Sequence, residues 1–411
     1  MAILFAMNNP LGVYISVPFC RAKCTFCNFA SGAFAAERLQ GYVDRLEAEV
    51  CGTRAATARL GAELVRPVDT IYFGGGTPSL LSASQVGQIF RALRDEFEVA
   101  PDAEITLECA PGQLAGETLE ELQRQGMNRA SLGVQSFVDK ETASVGRLHT
   151  QEICKAEFAR LRAAGVNEIN IDLIAGLPHQ TEESWRYSVE QVIASGAPHV
   201  SVYMLEVDED SRLGREMLVH GGRYHASDVP DEDAVATWYE MACERLDAAS
   251  VRQYEISNFA YEGYQSRHNL KYWKRQPYIG FGLDAHSMLP AAAGAVRFAN
   301  TDDLDSYLGE ARGPLELLPR NQAHRPEAEY LGREEAFEES LFLGLRLTEG
   351  VRLDMLREEF GDAILTAVMP AAFEARDAGL LAIERDCMRL TARGRMASNE
   401  VFSRLLIPAA A

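Results

Sequence analysis

Short apolar runs, each followed by a longer stretch with helical spacing, carry the early part of this chain. The candidate strands are Val13–Val17, Thr70–Phe73, Glu104–Glu108, Ala130–Val134, Ile169–Ile174 and Val200–Leu205. Between them lie the amphipathic segments Glu37–Val50, Ser84–Phe97, Thr118–Gln125, Thr150–Ala164 and Glu182–Ser195. Gly126, Gly165 and Gly196 stand just past three of these segments, where a helix stops easily. Strands alternating with helices predict a parallel sheet with right-handed crossovers. Six units are too few to close the usual eight-stranded barrel, so the expected fold is α/β, an open partial (βα)6 TIM-like barrel. A doubly wound open sheet is the alternative. The polar residues favour the barrel. Cys20 follows the first run, Gly74-Gly75-Gly76-Thr77-Pro78 the second, Glu108 closes the third, Gln135 follows the fourth and Asp172 lies on the fifth. Such barrels build their sites at the C-terminal strand ends, and polar residues inside apolar runs are costly unless something binds them.

Cys20, Cys24 and Cys27 have the spacing CxxxCxxC, with no fourth Cys or His within a few residues. A metal needing four protein ligands would be left one short. Three thiolates instead suit a [4Fe–4S] cluster whose fourth iron stays open, because thiolates are soft donors that deprotonate on binding. That deficit is the signature of clusters that bind S-adenosylmethionine (SAM) on the open iron. One electron then cleaves its sulfonium C–S bond to a 5′-deoxyadenosyl radical. A structural zinc would need a second ligand pair, which is not visible. The N-terminus lacks a basic region before its short apolar stretch, so no signal peptide is expected. Eight scattered cysteines do not form a secreted disulfide framework. Cys51, Cys109, Cys154, Cys243 and Cys387 read as small buried residues.

Asp and Glu number 60 against 40 Lys and Arg, a formal charge of −20. That balance argues against nucleic acid and against an electrostatic grip on anionic lipid. No apolar run reaches the length of a spanning helix. Free thiols and an oxygen-labile cluster point to the cytoplasm. Peripheral association with a membrane through a protein partner stays compatible with the sequence. The glycine run by itself makes no more than a tight turn. Glu108 and Asp172 also read as salt-bridge partners, or as acceptors for ribose hydroxyls or an amino group at a barrel mouth.

Taken in order, Tyr14-Ile15-Ser16-Val17-Pro18-Phe19-Cys20, the cysteine triad, Phe73-Gly74-Gly75-Gly76-Thr77-Pro78-Ser79, Gly133-Val134-Gln135-Ser136-Phe137 and Asn170-Ile171-Asp172-Leu173-Ile174-Ala175-Gly176-Leu177-Pro178 form a recognisable series. It resembles the radical SAM family of oxygen-independent coproporphyrinogen III oxidases and their relatives, the HemW-type heme chaperones, from about Leu11 to Leu406. The resemblance implies that Cys20, Cys24 and Cys27 ligate the cluster. It places Tyr14, Gly74, Gly75, Glu108, Gln135, Arg147 and Asp172 around SAM.

The oxidases typically carry a further cysteine two residues after the third ligand, and a longer N-terminal arm. Here Phe29 stands at that position and Cys20 comes early. His268-Asn269-Leu270-Lys271-Tyr272-Trp273 matches the HNxxYW motif that the chaperone-like branch associates with heme. The resemblance thus implies heme binding by His268, Asn269, Tyr272 and Trp273, since imidazole is an ordinary axial ligand and aromatic rings edge or stack on a macrocycle. Otherwise His268 reads as a structural histidine, and His286 is a second candidate. Ser16 departs from the His many members carry there, and in Glu108-Cys109-Ala110-Pro111-Gly112 the family commonly has Ala-Asn after the Glu, so Cys109 reads as a tolerated small residue.

Residues 1–210 are expected to form the barrel with its cluster loop, and 211–331 to complete the barrel side. Residues 332–411 are expected to form a small α+β winged-helix-like module. Within it, helices are expected over Glu335–Leu345 and Asp362–Asp377, a hairpin over Leu380–Glu384 and Met388–Thr391, and one closing helix over Ala392–Leu405. From Arg333 onward 10 basic residues face 14 acidic ones, so this module lacks the basic face of a DNA binder and reads as a lid or docking element near the barrel mouth. Glu209–Glu232 is expected to be a polar loop over the site. The favoured function is a cluster- and SAM-binding chaperone that passes heme to apoproteins. The alternatives are the oxidase, decarboxylating coproporphyrinogen III, and a structural metal protein without SAM.

Overall fold

The computed structural model describes residues 9–292, 294–309 and 328–407; the parts of the expected regions in 1–8, 310–327 and 408–411 lie outside them. Strands β1 (Leu11–Val17), β2 (Val68–Gly75), β3 (Val99–Cys109), β4 (Arg129–Gln135), β5 (Glu168–Ala175) and β6 (His199–Met204) lie side by side in chain order, all parallel. A doubly wound sheet would reverse its order at a switch point. This one does not, so the barrel winding holds.

The sheet grows past both edges. β7 (Arg252–Gln253) and β8 (Asn258–Ala260) extend it antiparallel beyond β6. On the other side β9 (Tyr278–Phe281) pairs parallel with β1, followed by antiparallel β10 (His286–Ala291), β11 (Gly294–Ala299) and β12 (Glu329–Leu331). These strands have two to six residues, too short to show a period along the chain.

Alternation within the six long strands explains the packing. Val13, Ile15, Val17, Ile71, Phe73, Ile105, Leu107, Leu132, Ile171 and Val202 are buried in one cluster with the surrounding helices. The residues between them, Tyr14, Ser16, Tyr72, Glu108, Ser131, Asn170, Asp172 and Ser201, turn to the opposite face, inside the barrel. The helix Ala83–Glu96 shows how a helix is placed. Ser82 and Gln85 form a reciprocal capping box at its start, and Val86, Ile89, Phe90 and Leu93 form its buried stripe. Phe90 meets Phe73 at 5.5 Å between ring centroids, each burial stabilising by roughly 2–3 kcal/mol.

Glu209–Glu232 is not a loop throughout. Ser211 Oγ accepts from Gly214 N and starts the helix Arg212–Leu218, a 3-10 segment follows over Arg223–Asp228, and buried Leu213 anchors the helix.

The C-terminal residues have their own core, with Phe337, Leu341, Phe360, Val368, Met388 and Val401 inside. Helices Arg333–Arg346, Leu353–Phe360 and Asp362–Asp377 pack on β13 (Val351–Arg352), β14 (Leu381–Glu384) and β15 (Cys387–Leu390), whose spatial order is β13-β15-β14. The expected closing helix is two, Ala392–Met396 and Ser398–Arg404, broken at Ala397. This module does not sit near the barrel mouth. Arg346 lies over the Trp273 ring at 4.4 Å, Arg275 pairs with Glu339 at 3.2 Å, and Thr348 N donates to Tyr254 O. Trp273 ends a helix that lies under the N-terminal strand ends.

Candidate cofactor site

The mouth begins where β1 and β2 end together. Ser16 pairs with Gly74 and Val17 with Gly75, so the cysteine loop leaves the sheet beside the glycine run. Gly76 makes this approach feasible. A Cβ there would stand 2.7 Å from Pro18 C, 2.8 Å from Val17 O and 2.9 Å from Phe19 O. The loop then closes on itself, with Cys20 N donating to Gly32 O and Gly32 N to Pro18 O, while Phe19 packs edge-on to Phe34 and Tyr42. Thr25 N donates to Val145 O, which ties the loop to the turn before Arg147.

All three loop cysteines are free and half-buried. Burial pushes the Cys20 and Cys24 thiols up, and the Arg147 guanidinium pulls both back toward thiolate; at Cys20, hydrogen bonds from Thr77 and Ser31 act in the same direction. Arg147 also acts on Glu108 and Asp172, so it stands among these carboxylates and the thiols.

Inside the mouth, the Tyr72 hydroxyl donates to Glu108 Oε1 at 2.9 Å. Burial raises the Glu108 carboxyl to about 7, against the bonds from Tyr72 and Gly75 N. Asp172 takes hydrogen bonds from Ser131 Oγ at 3.2 Å and Asn170 Nδ2 at 2.7 Å, while burial pushes its carboxyl up. Glu108 and Tyr14 both crowd Gly74, where a Cβ would lie 3.0 Å from Glu108 Oε1 and from the Tyr14 hydroxyl. Gln135 Oε1 and Arg147 Nε are buried with no hydrogen-bond partner among the described residues. Thus Tyr14, Gly74, Gly75, Glu108, Gln135, Arg147 and Asp172 line the same mouth. Tyr72, Ser131, Asn170 and Ser201 join them and were not singled out from sequence. Their signal is the two-residue alternation in phase with Tyr14, Glu108 and Asp172.

The HNxxYW segment takes another place. Its helix, Arg267–Trp273, is held under the strand starts: Glu104 of β3 accepts from Arg267 N at 2.8 Å, His268 N at 2.9 Å and Ser266 Oγ at 3.4 Å. Lys271 bonds Pro10 O at 2.7 Å and Asp69 at 2.6 Å. The His268 ring projects into the barrel against Tyr72, with centroids 5.1 Å apart. Its Nδ1 lies 2.8 Å from Thr70 Oγ1 and its Nε2 3.0 Å from the Tyr272 hydroxyl. Burial lowers this imidazole to about 3. In this arrangement both ring nitrogens of His268 are engaged and the residue is 1% exposed, so neither nitrogen is open to a ligand as it stands. Trp273 faces the C-terminal module, and Asn269 is half-buried on the same helix.

Tyr272 of that motif lines a cavity. The cavity, of about 290 Å³, is lined by Tyr14, Ser16, Gly75, Phe29, Tyr272 and His286, among others. It thus runs from the glycine run to a rim where Phe29 is 64% exposed and the His286 side chain 60% exposed.

A half-open parallel barrel with a thiol loop at its mouth is the architecture of radical SAM proteins, and residues 14–192 match the Radical SAM superfamily. Residues 331–397 match the HemN C-terminal domain. The heme chaperone HemW of Bacillus subtilis is 32% identical over 395 residues, covering 96% of this chain and 98% of the relative. HemW of Escherichia coli is 34% identical over 292 residues, 70% of this chain and 72% of its own. The chain belongs to the HemW family. The solved structure of coproporphyrinogen III oxidase (HemN) from Escherichia coli superposes with a TM-score of 0.81 at 22% identity, covering 98% of this chain and 92% of that one, a likeness of fold. Membership in the radical SAM superfamily implies a [4Fe–4S] cluster and SAM. The mouth fits both. It offers three free thiols, a bare Gly74 beside two acceptors, and partnerless polar atoms on Gln135 and Arg147.

Proposed function

We propose that this chain is a radical SAM heme chaperone, working in the cytoplasm and passing heme to apoproteins. In this reading Cys20, Cys24 and Cys27 hold the cluster, while Tyr14, Gly74, Gly75, Glu108, Gln135, Arg147 and Asp172 surround SAM. When bound, these two groups supply one-electron chemistry at the mouth. The chain's own residues orient and screen. Arg147 offers positive charge to thiolates and carboxylate alike, Tyr72 fixes the Glu108 carboxyl, and Gln135 offers its free Oε1 to an amino or hydroxyl group.

The observation that carries the heme part is the cavity beside Gly75. Tyr14, Phe29, Tyr272 and Tyr278 present aromatic surface to it, and His286 stands at its rim as an accessible imidazole. The proposal keeps the HNxxYW segment in the heme site but changes its parts. Tyr272 faces the porphyrin, His268 props Tyr272 through the Nε2 bond, Asn269 and Trp273 belong to the supporting helix, and His286 supplies the axial nitrogen. Residues 1–210 and 211–331 together build this site, and 332–411 form the docking module. That Phe29 replaces a cysteine supports the chaperone over the oxidase.

The test is an anaerobic heme titration of cluster-loaded protein, with coproporphyrinogen III and SAM supplied in parallel. One heme per chain, bound weakly by His286→Ala, and no protoporphyrinogen is the expected result. Protoporphyrinogen formation would establish the oxidase instead.

A further inference from the structure

Outside the mouth, two histidines and an aspartate converge from segments 46 and 49 residues apart. His179 follows Gly176-Leu177-Pro178 at the end of β5, and its backbone N donates to Asp228 O at 2.9 Å. His225 and Asp228 lie in the turn segment Arg223–Asp228, which is kinked at Tyr224 and His225. His179 and His225 both hold positive φ, +68° and +57°, which non-glycine residues rarely adopt. His225 Nδ1 stands 3.1 Å from His179 Nε2 and 3.6 Å from Asp228 Oδ2, and Asp228 Oδ2 is 3.5 Å from His179 Nδ1. One ligand atom from each residue falls within 4.8 Å of the others.

We propose that His179, His225 and Asp228 bind a divalent first-row transition ion, zinc being the first to try. A tetrahedral ion with bonds of about 2.0–2.1 Å keeps its donors about 3.3–3.4 Å apart, close to the spacings around His225 Nδ1. Two imidazoles and one carboxylate form a borderline donor set that suits zinc and its neighbours and leaves one position for water. The side chains are 16%, 51% and 44% exposed, so an ion can enter from solvent.

The site's place gives the ion a consequence. The helix Arg212–Leu218, which leads into His225, leans on the cysteine loop. Leu213 N donates to Thr25 O at 2.9 Å, Arg212 donates to Lys23 O, and Asn28 Nδ2 donates to Asp208 Oδ2 at 3.2 Å. An ion joining His179 to His225 would therefore pin this cover to the end of β5. The inference does not depend on heme.

The experiment uses the full chain with Cys20, Cys24 and Cys27 replaced by serine, so that the loop thiols cannot compete. Zinc is titrated against a chromogenic chelator, and cobalt(II) absorption reports the coordination. One equivalent is expected, with affinity at least about tenfold weaker in His225→Ala and in His179→Asn, the loss typical of even an outer-shell partner. In parallel, cluster-loaded protein with its cysteines intact is treated with a protease under argon. Zinc is expected to slow cleavage within 209–228, and His225→Ala to abolish that protection. Zinc binding unchanged by both histidine substitutions, or cleavage indifferent to zinc, overturns the proposal.

Discussion

The two ends of the barrel are made from the same strands, yet they treat several of their polar groups differently. At the strand starts, Glu104 accepts three donors, His268 has a partner on each ring nitrogen, and Lys271 reaches a carbonyl and a carboxylate. At the strand ends, Gln135 Oε1 and Arg147 Nε are buried without partners among the described residues, and Gly74 leaves room beside two acceptors. Buried groups that are satisfied hold a fold together, whereas buried groups left open are costly unless a ligand completes them. Arg129 Nη2 and Trp273 Nε1 at the floor are also buried without a hydrogen-bond partner among the described residues, so the contrast is one of degree and rests on Glu104, His268 and Lys271.

The largest expected separation is at Cys24. Cys24→Ala should lose most of its iron and iron–sulfur absorbance while its apo form melts close to the parent; a variant that keeps its full cluster would break the ligand assignment. Next comes Glu104→Ala at the floor, which strands the backbone donors of Arg267 and His268. A stability loss of roughly 3 kcal/mol in denaturant unfolding is expected, with SAM bound normally by the molecules that remain folded. A loss below about 1 kcal/mol would mean that the floor does not hold the barrel.

The two ends also carry opposite pH signs. His268 has a folded value of about 3 against 6.5, so it contributes stability above 6.5 that is lost as pH falls toward 3. Between pH 6.5 and 5 that amounts to roughly 2 kcal/mol. His268→Gln should flatten this slope by about one proton; an unchanged slope would place another group behind it. Glu108 has a folded value of about 7 against 4.5, so its contribution is present below 4.5 and lost as pH rises through 7. Glu108→Gln should therefore gain on the parent between pH 5 and 8 in the SAM-free protein. The smallest effect is Phe29→Ala. With an exposed side chain it should change stability by no more than about 0.5 kcal/mol while weakening heme several-fold, and equal heme affinity would remove Phe29 from the cavity's role.

Much of the barrel was legible because each of the six long strands is an apolar run of readable length. Helix limits came within a few residues: Glu37–Val50 against Arg38–Cys51, and Thr118–Gln125 against Gly116–Arg124. The edge strands were not legible, since Arg252–Gln253 has no period and Pro290 interrupts β10. In the mouth, Glu108 and Asp172 stood out as charges within apolar runs, whereas Ser131 and Asn170 did not, because small polar residues are common on solvated strand faces. The surroundings of His268 were not legible for a different reason. A motif records which residues travel together, and not whether the helix bearing them faces solvent or plugs a barrel. The winged-helix order of the C-terminal strands was readable as a hairpin, but its docking on Trp273 depends on surfaces far apart in sequence.

Gly76 carries a consequence for how such a chain tolerates change. The cysteine loop and the glycine run are far apart along the backbone, yet their alignment is set by a clearance too narrow for one methyl group. Lengthening or shortening the helical connection between β1 and β2 leaves that clearance untouched, because the strands remain paired on either side of it. A single added carbon at Gly76 would wedge the loop away from the strand and misalign every thiol at once. A dimension on which the whole thiol loop depends is therefore a gap, and a catalogue of side chains does not contain it.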